Sequence, residues 1–425
     1  MTRLSRVLER IEQGWSPQCL SRPAEGEEWG VIKLSAIRAG CFDHAENKAL
    51  PEHEAPATPL EIRSGDLLVT RANTRERVGD VCRVKVVRPH LMISDLVFRL
   101  HCTESVCVPE YLAMVLLSSI GRTQCRADAQ GSNATMVKIS QRTIYSWHMP
   151  LPPLAEQRSI ARFLDRSIAT IDSAVAEHER NLDLLAERRR TLTSDAVTRG
   201  LDPAAPMRES GVSWIGLIPV TWNVIDLRRL VDPSRPITYG IVLPGENVAD
   251  GVPIVKSGDC TQERLTPERL HRTTRAIEAS YGRSRLKGGD LVISIRGTVG
   301  LVAQVPPSLE GANLTQDAAR IAPTAKTDTG WLLHVLRSTP IQIEIAHRTV
   351  GATVRGLNLR ELRRLVLPVP PKAEQRRIAA FLDEHAAPID AAAEKTRRAI
   401  ELLHEYRQSL ITAAVTGRLR PEETH

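Results

Sequence analysis

Apolar residues recur every three or four positions along two long stretches of the chain, residues 171–196 and 389–414. The spacing alternates between four and three, which is the heptad period of a coiled coil. The pattern predicts two helices of about 30 residues, each about 45 Å long at 1.5 Å per residue. The seam positions are Ile171, Val175, His178, Leu182, Leu185, Arg189, Leu192 and Ala196 in the first helix, and Ile389, Ala393, Thr396, Ile400, Leu403, Arg407, Leu410 and Ala414 in the second.

A short amphipathic helix is predicted just before each seam. Pro152-Pro153 and Pro370-Pro371 should start these helices, because Pro suits the first helical turn. Pro388 predicts a break between the short helix and the second seam, since Pro in a helix interior costs about 3 kcal/mol. The apolar faces of the short helices are Ile160, Phe163 and Leu164, and Ile378, Phe381 and Leu382.

The two helical regions are repeats of each other. Residues 151–201 and 369–419 align without a gap at an offset of about 218 residues, and about half of roughly 50 positions are identical. This indicates the duplication of a whole unit, a globular region followed by a helical region. We expect the long helices to pack antiparallel about a pseudo-two-fold axis. Arg189 and Arg407 match in the repeat, and a polar seam residue can fix register.

The globular regions diverge but share a skeleton. Gly65–Arg71 resembles Gly289–Arg296, and both read as a turn that enters a β-strand. Residues 111–119 and 331–338 read as short amphipathic helices. We therefore predict an α+β protein in which two mixed α/β domains, apt for target recognition, alternate with two long helical regions that pack as an antiparallel coiled coil. The predicted boundaries are 1–150, 151–202, 203–368 and 369–425.

Composition and charge favour a polyanionic partner. The chain has 425 residues and a net charge of +7. Residues 1–150 carry about +2 and residues 203–368 about +6, whereas the helical regions are near neutral. Aromatic residues are only 4% of the chain, which argues against a stacking platform for bases. The candidate contacts to DNA are Lys33, Arg71, Asn73, Arg75, Arg77, Asn133, Lys138, Lys256, Arg283, Arg285, Arg296, Arg348 and Arg355.

Catalytic and metal-binding motifs were sought and not found in the sequence. It contains no GxxxxGK[ST], HExxH, GxSxG or CxxC motif, and no Asn-Pro-Pro-aromatic motif of the kind that amino-methyltransferases use. The seven Cys form neither a zinc pattern nor a disulfide framework, and we expect reduced thiols in a cytoplasmic protein. The longest apolar run, residues 111–117, is too short for a membrane span. We predict a non-catalytic binding protein without metal or cofactor of its own.

Two segments carry a family resemblance, Pro152–Asp165 and Pro370–Asp383, with the shared pattern PPxAEQRxIAxFLD. Together with the following Ile-Asp and the terminal Ala-Val-Thr, they resemble the conserved helical regions of the DNA specificity (S) subunit of type I restriction-modification systems. Residues 207–222 resemble the lead-in to that family's target-recognition domains. The first globular region lacks this lead-in. Either the natural chain starts upstream of Met1, or this copy has a shorter entry, which would put the stability of the first domain in doubt.

The resemblance implies a DNA reader without catalytic activity. Each recognition domain would read one half of a bipartite, asymmetric target in double-stranded DNA, and the helices would set the gap between the halves. They would also dock two modification (methyltransferase) subunits that bind S-adenosylmethionine. Restriction subunits, which use ATP and Mg²⁺, would complete the enzyme. The candidate docking and coiled-coil residues are Ile160, Phe163, Ile171, Leu182, Leu185, Arg189, Leu192, Ile378, Phe381, Ile389, Ile400, Leu403, Arg407 and Leu410.

Three alternatives stay open at this point. Ile160 and Phe163 either bind the modification subunit or pack within the chain. The whole protein could instead be a structural adaptor whose coiled coil assembles proteins and which binds DNA without sequence preference. A nuclease or methyltransferase is the third alternative, and it would need a metal or S-adenosylmethionine site that the sequence does not reveal.

Overall fold

The computed structural model describes residues 1–38, 40–129, 136–262, 264–349 and 356–419. The chain divides into two compact units. Unit 1 comprises Met1–Glu179 and Arg397–His425, and unit 2 comprises Arg180–Thr396. Each unit therefore combines one globular region with a segment of both long helical regions. No helix in the described ranges is long and apolar enough to cross a membrane.

Both units contain helices, and two helices are much longer than the others. They are α1 (Pro109–Leu117), α2 (Ser119–Asp128), α3 (Gln141–Ser146), α4 (Leu154–Arg199), α5 (Arg275–Ala279), α6 (Thr329–Arg337), α7 (Thr339–His347), α8 (Leu359–Arg363) and α9 (Lys372–Val415). Short 3-10 turns occur at Leu4–Arg6, Leu34–Ala36, Thr58–Leu60, Leu227–Arg229, Ser257–Asp259, Gly282–Ser284 and Pro307–Leu309. The long helices α4 and α9 begin directly after the two Pro-Pro pairs, so their predicted starts are confirmed.

The break predicted at Pro388 is wrong, because α9 continues through it. Pro388 has no N–H, so the carbonyl of Glu384 loses its helical hydrogen bond. Both residues are exposed, and water can bind that carbonyl. Leu382 and Ile389 are buried on either side, and their packing holds the helix together across the proline. The short helix and the seam likewise form one helix in α4.

The seam residues face inward where the helices meet their own unit. In unit 1, Ile171, Val175 and Leu410 are buried in one hydrophobic cluster. In unit 2, Ala196 and Leu382 share a cluster. Towards their middle the long helices are only half buried at the seam, as at Leu182, Leu185, Ile400 and Leu403. The long helices α4 and α9 thus pack together through the predicted apolar face.

The strands of unit 1 form several small sheets. They are β1 (Thr2–Arg3), β2 (Leu8–Gln13), β3 (Gly30–Ile32), β4 (Ile37–Arg38), β5 (Cys41–Phe42), β6 (Asn47–Ala49), β7 (Leu67–Thr70), β8 (Ala72–Asn73), β9 (Val81–Arg83), β10 (Leu91–Met92), β11 (Val97–Cys102), β12 (Val137–Lys138) and β13 (His148–Met149). The largest sheet has the order β2-β11-β7-β9, and a second sheet has the order β10-β3-β6. The pairs β1-β13, β12-β8 and β4-β5 complete the unit.

Unit 2 is built in a similar way. Its strands are β14 (Met207–Glu209), β15 (Leu217–Pro219), β16 (Asn223–Asp226), β17 (Thr238–Tyr239), β18 (Val252–Val255), β19 (His271–Thr273), β20 (Leu291–Ser294), β21 (Val302–Gln304), β22 (Asn313–Leu314), β23 (Ala318–Ile321) and β24 (Val366–Val369). The sheets have the orders β17-β23-β20-β21, β19-β18-β22, β16-β24 and β14-β15.

The two globular regions share one strand order. Sheet β2-β11-β7-β9 corresponds to β17-β23-β20-β21, and every neighbouring pair in both is antiparallel. Each three-stranded sheet combines one parallel pair, β10-β3 or β18-β22, with one antiparallel pair, β3-β6 or β18-β19. The common order allows residues of the two units to be compared position by position.

A buried arginine lies on an interior strand of each four-stranded sheet. Arg320 of β23 is 2% exposed and donates to the carbonyl oxygens of Arg283 and Arg285 at 2.7 and 2.9 Å. Burial lowers the pKa of Arg320 from its ordinary value. At the matching position of β11, Arg99 is 6% exposed and its Nε lies 3.3 Å from the carboxylate of Asp66. These cations are structural, because their donors are directed at groups of the unit's own interior.

The glutamine of the repeated segment joins the long helix to the globular region in each unit. Gln157 is fully buried; its side-chain oxygen accepts the N–H of Val108 at 2.9 Å and its amide donates to the carbonyl of Val106 at 3.1 Å. Gln375, 3% exposed, accepts the N–H of Asp328 at 2.7 Å. The partners precede α1 and α6, so the same residue fixes the same junction twice.

Replacing Gln157 or Gln375 by leucine should lower the free energy of unfolding of the corresponding unit by about 2–3 kcal/mol. Leucine fills the space but leaves a buried N–H without an acceptor, at a cost of about 1–3 kcal/mol. Urea unfolding followed by circular dichroism measures the loss. Gln13→Leu is the matched control, because Gln13 is exposed and donates only one long bond of 3.4 Å. Equal effects at Gln13 and Gln157 would contradict the assigned role.

Candidate nucleic-acid interface

In unit 1 a polar edge starts where β7 ends. Arg71 follows β7, and its guanidinium carbon lies 5.9 Å from the ring centroid of Phe98 while Nη1 donates to the carbonyl of Asp95 at 3.3 Å. Asn73 lies in β8, which pairs with β12; Asn73 is opposite Val137, and Ala72 is opposite Lys138. Lys138 is exposed and Asn73 is half buried. The fold thus brings together two strands that carry polar residues distant in sequence.

Unit 2 has an edge at the same place in the fold. Arg296, exposed, follows β20 and forms an antiparallel bridge with Gly356. Lys256, also exposed, follows β18. A Cβ added to Gly297 would lie 3.8 Å from the hydroxyl oxygen of Ser257. The segments that carry Arg296 and Lys256 are therefore neighbours.

One predicted equivalence is shifted by a residue. The carbonyl of Arg71 accepts the N–H of Ile139 at 2.9 Å, and the carbonyl of Ile295 accepts the N–H of Leu357 at 2.8 Å. Ile295 therefore occupies the place of Arg71, and Arg296 lies one position further along. The sequence pattern pairs Arg71 with Arg296, because the pattern does not reveal which backbone groups form the hydrogen bonds between the strands.

The sequence pattern did not predict a role for Gly14 and Gly240, which follow the first strand of each four-stranded sheet. A Cβ on Gly14 would lie 2.2 Å from the carbonyl oxygen of Ile93, and one on Gly240 would lie 2.1 Å from that of Leu314. No side chain fits such a close approach of two backbones. Trp15 follows at the edge and is exposed. The recurrence of Gly at matching positions was the available signal.

Two of the predicted contacts are held by carboxylates of their own unit. Arg285 makes two bonds, at 2.6 and 2.8 Å, to the buried carboxylate of Glu278. The Arg285 guanidinium holds the pKa of Glu278 below its ordinary value. Arg348 bonds Glu344 at 2.6 Å. Both guanidinium groups are thereby weaker candidates for DNA than the sequence suggested. Longer ion pairs join Arg77 to Asp80 at 3.7 Å and Lys33 to Glu46 at 3.6 Å.

The remaining predicted DNA contacts divide into two groups. Arg75 and Arg283 are exposed in loops, like Lys138 and Lys256 at the edges. Asn133 and Arg355 lie outside the described residues. No comparison tests any of these contacts, and they stay predictions.

Of the candidate docking residues, some pack inside their own unit. Ile160 and Ile378 are 2% and 0% exposed and belong to the hydrophobic clusters of units 1 and 2. Of the two alternatives for Ile160, packing within the chain is therefore the one observed. Phe163 is half buried, and Phe381 stacks on His385 with ring centroids 4.1 Å apart.

The seam arginines are engaged in ion pairs. Arg189 and Asp390 pair at 2.6 Å in unit 2, and Arg407 and Asp172 pair at 3.4 Å in unit 1. The four residues occupy matching positions of the repeat. The predicted role of these arginines in setting register is consistent with the pairs, but the sequence did not reveal their partners.

Four of the cysteines are buried. Cys82, Cys107, Cys125 and Cys260 are buried, and burial raises the pKa of Cys125 to about 11. Since the thiolate is the nucleophile, such a group is inert near neutral pH. In the part of the chain that the structure describes, no group of three or more His, Cys, Asp and Glu is placed to hold a metal ion.

Comparisons with known proteins relate the chain to one family. Residues 245–402 match the family model of the type I restriction modification DNA specificity domain. The specificity subunit of the type I restriction enzyme EcoBI from Escherichia coli is 28% identical over 297 residues, which cover 69% of this chain and 62% of that protein. The chain is thus similar to the specificity subunits of type I restriction enzymes. It resembles the EcoKI specificity subunit of E. coli strain K12 over 92% of its own length and 82% of that protein, at 22% identity.

The match to other specificity subunits is partial in length. The EcoEI specificity subunit of E. coli is 33% identical over 159 residues, and the chain spans 27% of its length. The chain superposes on a solved structure with a TM-score of 0.71 at 21% identity, and the match covers 98% of this chain and 97% of that one. The solved structure concerns complex assembly and conformational transition of the type I restriction-modification system. This chain therefore has the same fold as that solved chain.

Proposed function

We propose that this chain is the DNA-reading subunit of a type I restriction-modification complex and that each unit reads one half of a bipartite, asymmetric target. The pair of polar edges carries the proposal. Both edges lie on sheets with the same strand order, but unit 1 has Ala72 paired with Lys138 where unit 2 has Arg296 paired with Gly356, and Asn73 lies one position further along. Asn suits adenine and Arg suits guanine in the major groove, so the two edges fit different half-sites.

We further propose that α4 and α9 form an antiparallel coiled coil with pseudo-two-fold symmetry that sets the gap between the half-sites. The reciprocal ion pairs Arg189–Asp390 and Arg407–Asp172 support this arrangement. So does Tyr111 in unit 1, whose hydroxyl lies 3.2 Å from a carbonyl just before α4 and 3.5 Å from one at the end of α9.

The partners follow from the same proposal. Two modification subunits would dock on the outer face of the long helices, which exposes Leu184, Leu402 and Tyr406. These subunits would bind S-adenosylmethionine and methylate adenine, and restriction subunits would supply ATP- and Mg²⁺-dependent translocation and cleavage. This chain would contribute recognition and assembly but no catalysis, metal or cofactor.

A methylation map tests the function. Co-expression of the full chain with a cognate modification subunit, in a host without adenine methylation, should modify one bipartite motif with a fixed gap. Genome-wide detection of modified adenines measures it. A stable complex that modifies nothing, or that modifies without sequence preference, would contradict the proposal and favour a structural adaptor.

A matched variant assigns one half of the motif to unit 2. Arg296→Ala should relax a single position of one half-site, by about 1–3 kcal/mol of discrimination, and leave the other half unchanged. Arg275→Ala, which removes an exposed arginine of unit 2 that is not a candidate DNA contact, is the control. If methylation decreases equally whichever base stands at each position of the motif, Arg296 contacts phosphate instead of a base.

A further inference from the structure

A short turn and a short helix pack against each other at the entry of each globular region. In unit 1 the N–H of Leu4, first residue of the turn Leu4–Arg6, donates to the carbonyl of Trp147, just after α3, at 2.8 Å. In unit 2 the N–H of Leu227, first residue of the turn Leu227–Arg229, donates to the carbonyl of Leu365, two residues after α8, at 2.8 Å. The two arrangements are equivalent.

The helix starts can also be matched. The side chain of Ser140 caps α3, and the side chain of Asn358 caps α8. Counting from these caps, Arg142 and Arg360 are equivalent. Counting from the leucines that begin the turns, Arg6 and Arg229 are equivalent as well. Each unit thus carries one arginine on the turn and one on the helix packed against it.

Within the globular regions, these four arginines differ from the buried charged residues that the two units share. Asp66 with Asp290 and Arg99 with Arg320 are also shared, but they bind groups of their own unit's interior. Arg6, Arg142, Arg229 and Arg360 are exposed, and within the described residues their side chains make no hydrogen bond or ion pair. The stability of the fold does not account for them.

Their place in the chain puts them beside the polar edges. Lys138 ends β12, and α3 begins three residues later with Arg142 in its first turn. Gly356 forms the bridge to Arg296, and α8 begins three residues later with Arg360 in its first turn. Arg142 and Arg360 therefore follow the two edges directly in the chain, and Arg6 and Arg229 lie on the turns packed against the same helices.

We propose that Arg6 and Arg142 in unit 1, and Arg229 and Arg360 in unit 2, hold the sugar–phosphate backbone of duplex DNA beside each half-site. The inference rests on the proposed function. It explains why these side chains are the same in two units whose edges differ: phosphates are the part of the ligand that is the same at any two half-sites. An arginine without a carboxylate partner suits a phosphate, which its planar fork can bind through two donors.

The test is the salt dependence of DNA binding by the full chain. Each phosphate contact contributes about 0.9 to the slope of log K against log salt. The pair R6A/R142A should reduce the slope by about 1.8, as should R229A/R360A, and each should weaken binding to target and unrelated duplexes by the same factor. Fluorescence anisotropy with labelled duplexes over a NaCl titration measures both quantities. The pair R6K/R142K should retain the slope, because lysine also neutralises a phosphate.

The control is R376A/R377A, which removes the same charge from two exposed arginines on α9. It should leave the slope unchanged. The inference is overturned if R6A/R142A and R229A/R360A leave the salt slope unchanged, or if the control reduces the slope by the same amount. In either case, binding of DNA by the wild-type chain would leave the proposed function intact. Loss of discrimination between target and unrelated duplexes would assign these arginines to base reading and would also overturn it. If the wild-type chain binds neither duplex, the proposed function itself fails.

Discussion

Replacing Asp290 by alanine is expected to lower the free energy of unfolding of unit 2 by about 3–5 kcal/mol, the cost of removing one partner from a buried ion pair. Asp290 is 3% exposed and accepts two bonds from Arg235, at 2.8 and 2.6 Å. It also accepts the N–H of Lys287 at 2.7 Å and thereby closes the turn into β20. Alanine would leave Arg235 without its carboxylate, next to the buried cation of Arg320.

Urea unfolding followed by tryptophan fluorescence measures this loss, because Trp222 and Trp331 are both buried in unit 2. Asp226→Ala is the control: Asp226 pairs with the exposed Arg228 at 2.9 Å, and such surface pairs contribute about 0–1 kcal/mol. A loss below about 1 kcal/mol for Asp290→Ala would show that the carboxylate is dispensable for the fold.

Inserting one heptad into both long helices, after Leu185 and at the facing position after Glu394, should lengthen the gap of the methylated motif. Seven residues add about 10 Å to a helix, which corresponds to about three base pairs of duplex DNA. The heptad keeps the apolar seam in phase on both helices. The methylation map measures the new gap, and both half-sites should keep their sequences.

Insertion of the heptad after Leu185 alone is the informative comparison. It shifts Arg189 away from Asp390 and breaks the facing register of α4 and α9 in unit 2, so modification should be lost. Modification at the unaltered gap, by either insertion variant, would be incompatible with helices that set the spacing.

Much of the architecture could be predicted from local pattern. The starts of α4 and α9 follow from the Pro-Pro pairs, and the buried stripe that ends at Ala414 follows from the heptad spacing. The Gly-Asp pair before β7 and β20 correctly marked a turn into a strand. These features depend on residues close in sequence, so local steric preferences and the period of burial are sufficient to predict them.

The roles of single polar residues could not be predicted in the same way. Gln157 looked like one polar position of a helix, yet it is fully buried and satisfies the N–H of Val108. Arg285 was a candidate for DNA, but the carboxylate of Glu278 holds it. Pro388 predicted a helix end, but burial on both sides kept the helix continuous. In each case the deciding partner belongs to another element or another turn.

The sequence by itself determined the internal duplication, the long helices with their seam, and the placement of basic residues in the globular regions. Tertiary structure alone decided which of those basic residues are available to a ligand and which residues of the two units are equivalent. The reason is physical. Periodicity reports which face of an element is buried, whereas the state of a guanidinium or an amide depends on partners brought within hydrogen-bond distance by folding.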